Sequence, residues 1–127
     1  MSITRVASTE TRSSGTATSA METLASPTVG GSNRTSLWRV RMSAGQPGPR
    51  HIIDSEQIWT VLTGEASFHS ESDQFAVTAG DTVIVPADVV RTVIASSDCE
   101  FLVCGSPSAL ASIPGSDAAP VAPPWVR

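Results

Sequence analysis

Between Thr35 and Gly105 the chain is cut by closely spaced turn signals into short runs in which apolar and polar residues alternate. That pattern suits β-strands and leaves no room for a helix of useful length. In SLWRVRMS, Trp38, Val40 and Met42 alternate with Leu37, Arg39 and Arg41, a period of two with one apolar face. GQPGP then breaks the chain. In QIWTVLTG, Gln57, Trp59 and Val61 share one face and Ile58, Thr60 and Leu62 the other, so both faces need cover. After a turn at Gly64, ASFHS, the polar turn ESD and QFAVTAGD read as a hairpin closed by Gly80 and Asp81. TVIVP, RTVIA and CEFLVCG follow at short intervals. Many short strands spaced in this way belong to a sandwich or barrel. A chain of 127 residues makes one such domain. Its expected parts are a partly ordered, irregular N-terminal arm over 1–34, a barrel over 35–105, and a Pro/Ala-rich tail over 106–127. The arm is rich in Ser, Thr, Gly and Ala, though METLASP, Met21 to Pro27, is apolar enough to pack. The tail is expected to lie on the barrel with Trp125 as an anchor.

All eight basic residues are Arg, and the net charge is -4. A phosphate backbone is therefore not an expected partner. No apolar run approaches the roughly 20 residues that cross a bilayer, so no membrane association is expected. The first twenty residues lack the apolar core of a secretory signal, and the expected compartment is the cytoplasm. Cys99 and Cys104 lie five steps apart on one strand, roughly 16 Å apart and on opposite faces, so they cannot bridge each other.

The anchors between these strands carry a resemblance. Gly45, His51, Ile53, Gln57 and Gly64 fall at the spacings of the first cupin motif, whose pattern is G, HxH, E, G. Gly80, Pro86, Asp88 and Arg91 fall at those of the second, G, PxG, H. The chain thus resembles a small single-domain cupin, and the resemblance implies an all-β fold, the double-stranded β-helix or jelly-roll barrel. In metal-bearing cupins the two His, the Glu and the final His converge on one divalent ion. Here His51 keeps the first ligand position, while Ile53, Gln57 and Arg91 replace the other three. An amide and a guanidinium that cannot lose its proton make poor ligands, so the resemblance implies a degenerate metal site and no cofactor. A metal could return only through replacement ligands such as Glu56 and His69. His69 is expected on the solvated surface.

On this reading His51, Gln57, Trp59 and Arg91 line a mostly apolar pocket for a small molecule. His51 titrates near neutral pH and is the candidate general acid/base; the alternative is a hydrogen-bonded barrel histidine. A buried Arg91 needs an anion, supplied by a ligand carboxylate or by Asp54, Glu56 or Asp88. Gln57 either meets a ligand carbonyl or pairs with a neighbouring side chain. Trp59 is core or a shelf for the ligand. Three functions fit. One is a metal-independent isomerase, cyclase or lyase acting on a small organic acid or carbonyl compound. The second is a non-catalytic ligand-binding or sensing module. The third is a metal-dependent dioxygenase or isomerase with non-standard ligands. The expected ligand is anionic, and a homodimer is expected from the two-sided apolar strands.

Overall fold

The computed structural model describes residues 2–127, which form eleven strands and a single 3-10 turn at Pro124–Val126. The strands are β1 Arg12–Gly15, β2 Ser19–Ala25, β3 Ser36–Met42, β4 Ile52–Ile53, β5 Gln57–Thr63 and β6 Glu65–His69. They continue with β7 Gln74–Thr78, β8 Thr82–Val85, β9 Thr92–Ala95, β10 Cys99–Gly105 and β11 Ala111–Ser112. One sheet runs β1-β2-β3-β10-β5-β8, a second runs β7-β6-β9, and β11 pairs with β4. Every strand pair is antiparallel. The two larger sheets enclose a core to which β3, β5 and β10 contribute Trp38, Val40, Trp59, Val61, Phe101 and Val103. These are the inward positions of the period-two runs. The jelly-roll barrel expected of the sequence is therefore the fold observed.

Gly64 shows why the anchors sit where they do. It turns β5 into β6 at φ +79°, and a Cβ there would come within 2.1 Å of the Asp98 carbonyl oxygen. Neither the conformation nor the space admits a side chain. Asp88 stands where the second cupin motif has glycine, and it keeps a left-handed φ of 66°. Asp and Asn tolerate that region better than other residues.

The N-terminal arm departs from the expectation of irregular chain. Arg12–Gly15 and Ser19–Ala25 form a hairpin, and β2 extends the large sheet by pairing with β3. Its inward side chains are Met21 and Thr23, both buried. Thr23 is tolerated there because its hydroxyl donates to the Trp125 carbonyl at 2.8 Å. The tail lies against the same strands. Val126 is fully buried, its carbonyl accepts from the Ser36 hydroxyl, and the Arg12 guanidinium donates to the Pro124 carbonyl at 2.8 Å. Cys99 is buried and Cys104 half-buried, and both thiols are free. Among the described residues no helix is long and apolar enough to cross a membrane.

Candidate functional site

A cavity of about 260 Å³ opens within the barrel. Its floor is the inner face of the large sheet, with Met21, Trp38, Val40, Met42, Gln57 and Trp59. The segment around His51 and Ile53 makes one wall, and the tail, from Ala111 to Trp125, makes another. The lining contains no Asp, Glu, Lys or Arg, and His51 is its one titratable side chain.

His51 is placed by its backbone. His51 N–H donates to the Arg91 carbonyl at 3.1 Å and Arg91 N–H to the His51 carbonyl at 3.0 Å, an isolated antiparallel bridge. Residues paired in this way project their side chains to the same side. The turn before Arg91 is pinned by Asp88 N–H donating to the Ile53 carbonyl at 2.9 Å. The His51 ring is fixed in turn, with Nδ1 2.7 Å from the Pro49 carbonyl oxygen. A carbonyl only accepts, so Nδ1 carries the proton and Nε2 keeps its lone pair. Burial pushes the His51 pKa down; the Pro49 hydrogen bond opposes this, and the nearby Arg91 charge adds to it. The imidazole is therefore neutral at pH 7 with a basic Nε2.

Gln57 and Arg91 are each only 3% exposed. The Gln57 Oε1 accepts from Arg91 Nη2 at 2.7 Å and from Trp59 Nε1 at 3.2 Å. Both partners can only donate, which fixes the amide with oxygen toward them and leaves the Nε2 protons as its other contribution. Arg91 itself does not line the cavity, contrary to the sequence expectation; it stands behind Gln57. Nor does it find an internal acid. Among the described residues the ion pairs are Arg39–Glu22, Arg41–Glu22 and Arg41–Glu100. Asp54 accepts from the Leu110 amide, and Glu56 and Asp88 are exposed. The second guanidinium nitrogen of Arg91, Nη1, is buried without a partner. Burial pushes its pKa down to about 10, so the charge persists at neutral pH.

The donor set does not fit the divalent ion of metal-bearing cupins. Ile53 is a buried hydrocarbon, the Gln57 oxygen is taken by two N–H donors, and Arg91 places a cation nearby. The replacement ligands fail on position. Glu56 is exposed, and His69 shares the outer face of β6 with Ser67, whose hydroxyl lies 2.8 Å from Nε2. Among the described residues no three His, Cys, Asp or Glu side chains cluster as a metal site would require.

Trp38 and Trp125 also line the cavity, whereas the sequence reading has Trp38 as an apolar strand position and Trp125 as the anchor of the tail, neither of them in the pocket. For Trp38 the signal was available, since its place in an alternating run points it inward beside Trp59. Trp125 gave no such signal, because only the folded tail brings it there.

Residues 38–105 match the sequence model of the cupin domain. No curated protein matches the chain. Among solved structures it is similar to a cupin superfamily protein from Desulfitobacterium hafniense DCB-2. That likeness has 15% identity and a TM-score of 0.62, over 73% of this chain and 81% of the other. It is similar to the polyketide cyclase RemF from Streptomyces resistomycificus, with 19% identity and a TM-score of 0.70, over 83% and 80%. Salicylate 1,2-dioxygenase from Pseudoaminobacter salicylatoxidans gives 16% identity and a TM-score of 0.71, over 83% of this chain but 31% of the dioxygenase. Identities this low speak to the fold.

Proposed function

We propose that this chain, which belongs to the cupin family, binds a carbonyl compound in its barrel and moves the proton beside that carbonyl without a metal, as an isomerase, cyclase or lyase does. The observation that carries this reading is the meeting of His51 and Gln57 on one apolar cavity, with Arg91 behind the amide. His51 Nε2 takes the proton from the carbon next to the carbonyl. The C–H electron pair becomes the new C=C bond, and the carbonyl π pair moves onto oxygen. Gln57 Nε2–H donates to that oxygen as its charge grows, and the Arg91 charge polarises the amide from the other side. The imidazolium then returns the proton to a different atom, which is isomerisation. Alternatively the enolate carbon attacks a second carbonyl carbon, whose π pair moves onto its oxygen and takes the proton from the imidazolium to give a hydroxyl. His51 then removes the remaining α-proton and passes it to that hydroxyl, which leaves as water as the C=C bond forms, and this course is cyclisation. A polyketide cyclase among the structural neighbours is compatible with this second course.

The absence of a fully charged side chain from the lining favours an uncharged ligand over the organic anion expected from sequence. The expected homodimer remains part of the proposal. Ile84 and Leu62 leave apolar surface on the outer face of the large sheet, and light scattering on purified protein tests it.

The experiment is deuterium uptake at the α-carbon of 1-tetralone, followed by NMR in D₂O at pD 7.5. Wild type should exceed buffer alone, His51→Ala should lose about 10²- to 10⁴-fold of that gain, and EDTA should change nothing. Equal exchange in wild type and His51→Ala, or loss on chelation, refutes the reading. Saturable binding with no exchange selects the non-catalytic binding module instead.

A further inference from the structure

The chain has three tryptophans, Trp38, Trp59 and Trp125, and all three line this cavity. Two of them are set by sheet register. Val103 on β10 pairs with Trp38 on β3 and with Trp59 on β5, so the indoles flank Val103 on the same inner face. At about 4.8 Å per strand their Cα atoms stand about 10 Å apart. Trp59 cannot swing in to fill the space between. Phe68 and Phe101 hold its ring edge-to-face, at centroid distances of 5.6 and 5.2 Å. The third indole arrives with the tail, whose backbone is tied to Thr23 at the Trp125 carbonyl.

Gly105 ties this aromatic wall to the polar end of the cavity. A Cβ on Gly105 would lie 3.1 Å from the outer ring edge of Trp38 and 3.3 Å from Gln57 Cγ. Because the side chain is missing, the Trp38 ring and the Gln57 stem close over β10 from both sides. Trp59 donates to the same Gln57 amide. The Gln57 side chain therefore meets the Trp59 N–H at its Oε1 and has the Trp38 ring edge across Gly105 from its Cγ, so the polar end of the cavity adjoins two of the indoles.

Size narrows the class further. A dry cavity of about 150 Å³ accommodates benzene, and this one, at about 260 Å³, is less than twice as large. Its lining offers an anionic ligand no fixed charge. From the indole wall, the volume and the uncharged lining, we infer that the ligand is a flat, uncharged aryl ketone of two fused rings or of one ring with short substituents. Its ring system lies among the three indoles and its carbonyl meets Gln57. Aromatic rings gain from such surfaces beyond the area they bury, which a saturated skeleton of equal volume does not. The inference rests on the reading of Gln57 as the carbonyl donor, but binding and proton transfer can be measured apart.

The test is isothermal titration calorimetry of the full chain with three probes: 2-acetylnaphthalene, its saturated analogue 2-acetyldecalin, and 2-naphthoate. The naphthyl ketone should bind at least about 10-fold more tightly than either of the others. Trp125→Leu, at a half-buried position, should weaken it by about 10-fold, and Trp38→Phe should do so by less. Equal or tighter binding of the decalin, tighter binding of the carboxylate, or no binding of the naphthyl ketone overturns the inference. Preference for the naphthyl ketone without α-proton exchange would leave this inference standing and remove the proposed reaction; exchange without that preference would do the reverse.

Discussion

Replacing Gln57 by Leu removes one oxygen and leaves two buried donors unmet. Arg91 Nη2 loses a 2.7 Å bond and Trp59 Nε1 a 3.2 Å bond. Arg91, 3% exposed and with Nη1 already unpartnered, becomes a buried cation with no hydrogen bond from its side chain. An unmet buried donor costs about 1–3 kcal/mol, a charged one at the upper end, so the two together cost about 3–4 kcal/mol. At about 2.1 cal/mol/K per residue, 127 residues give an unfolding entropy of about 0.27 kcal/mol/K, and the expected fall in Tm is about 11–15 °C. Urea denaturation at pH 7 measures the loss as a shift in midpoint at constant slope. The double variant Gln57→Leu/Arg91→Met removes the orphaned charge as well. It should recover about 2–3 kcal/mol, with only the indole left unmet. Gln57→Glu completes the test. A carboxylate satisfies both donors and pairs with the guanidinium, so stability should hold or rise. It presents no N–H to a carbonyl, so α-proton exchange should fall about 10²- to 10³-fold. A single-variant cost below about 1 kcal/mol, or a double variant no more stable than the single, would falsify the view that Arg91 is held by Gln57 alone.

Three further outcomes are expected. Gly64→Ala should prevent folding or cost more than about 4 kcal/mol, because its Cβ meets the Asp98 and Cys99 backbone; Gly80→Ala, at φ +94° in open space, should cost about 1–2 kcal/mol on the same urea curve. Gly105→Ala should destabilise by about 1–3 kcal/mol and weaken 2-acetylnaphthalene binding, since its Cβ pushes on Trp38 and Gln57 together; unchanged affinity by calorimetry would count against the close packing over β10. Exchange should be flat above neutral pH and fall on acidification, with a midpoint below the ordinary histidine value of about 6.5, because burial holds His51 neutral. The same shift has a sign in stability. The unfolded chain takes up this proton near pH 6.5 while the folded chain resists it, so stability falls as pH drops from about 7 into that window, and His51→Ala should flatten the slope.

The glycine anchors and the alternation between them were enough to read the barrel, since each reports a local need: a left-handed turn, a close approach, an inward side chain. The N-terminal hairpin was hidden because the inward positions of β2 are Met21 and Thr23, and a threonine does not read as core. Its hydroxyl is satisfied by the carbonyl of Trp125, a partner 102 positions away. The site divides in the same manner. Motif spacing brought His51, Gln57 and Arg91 together, because Gln57 is set by strand register and His51 and Arg91 by the bridge that pairs them. The partner of Arg91 was not legible. Charge counting points to an acid, whereas the structure supplies an amide oxygen shared with Trp59 and places the cation outside the cavity lining. The tail wall, formed by sequence-distant Ala111 to Trp125, was equally beyond local reading.

That arrangement limits the chemistry the proposed reaction can perform. A metal ion would touch the carbonyl oxygen directly, but the charge of Arg91 reaches it through one more hydrogen bond, across the Gln57 amide. With Arg91 Nη2 at 2.7 Å from Oε1, the guanidinium stands about 7 Å from an oxygen held by Nε2. At an effective dielectric of about 20, a unit negative charge there gains about 2.4 kcal/mol, about 60-fold in rate. His51 as a base adds about 10²- to 10⁴-fold. The two together can remove protons that the substrate has already made acidic, such as those beside an aryl ketone or between two carbonyls, but they cannot ionise a simple alkane-like position. The substrate must therefore bring its own activation, and an aromatic carbonyl compound does so with the same ring system that the indoles would hold.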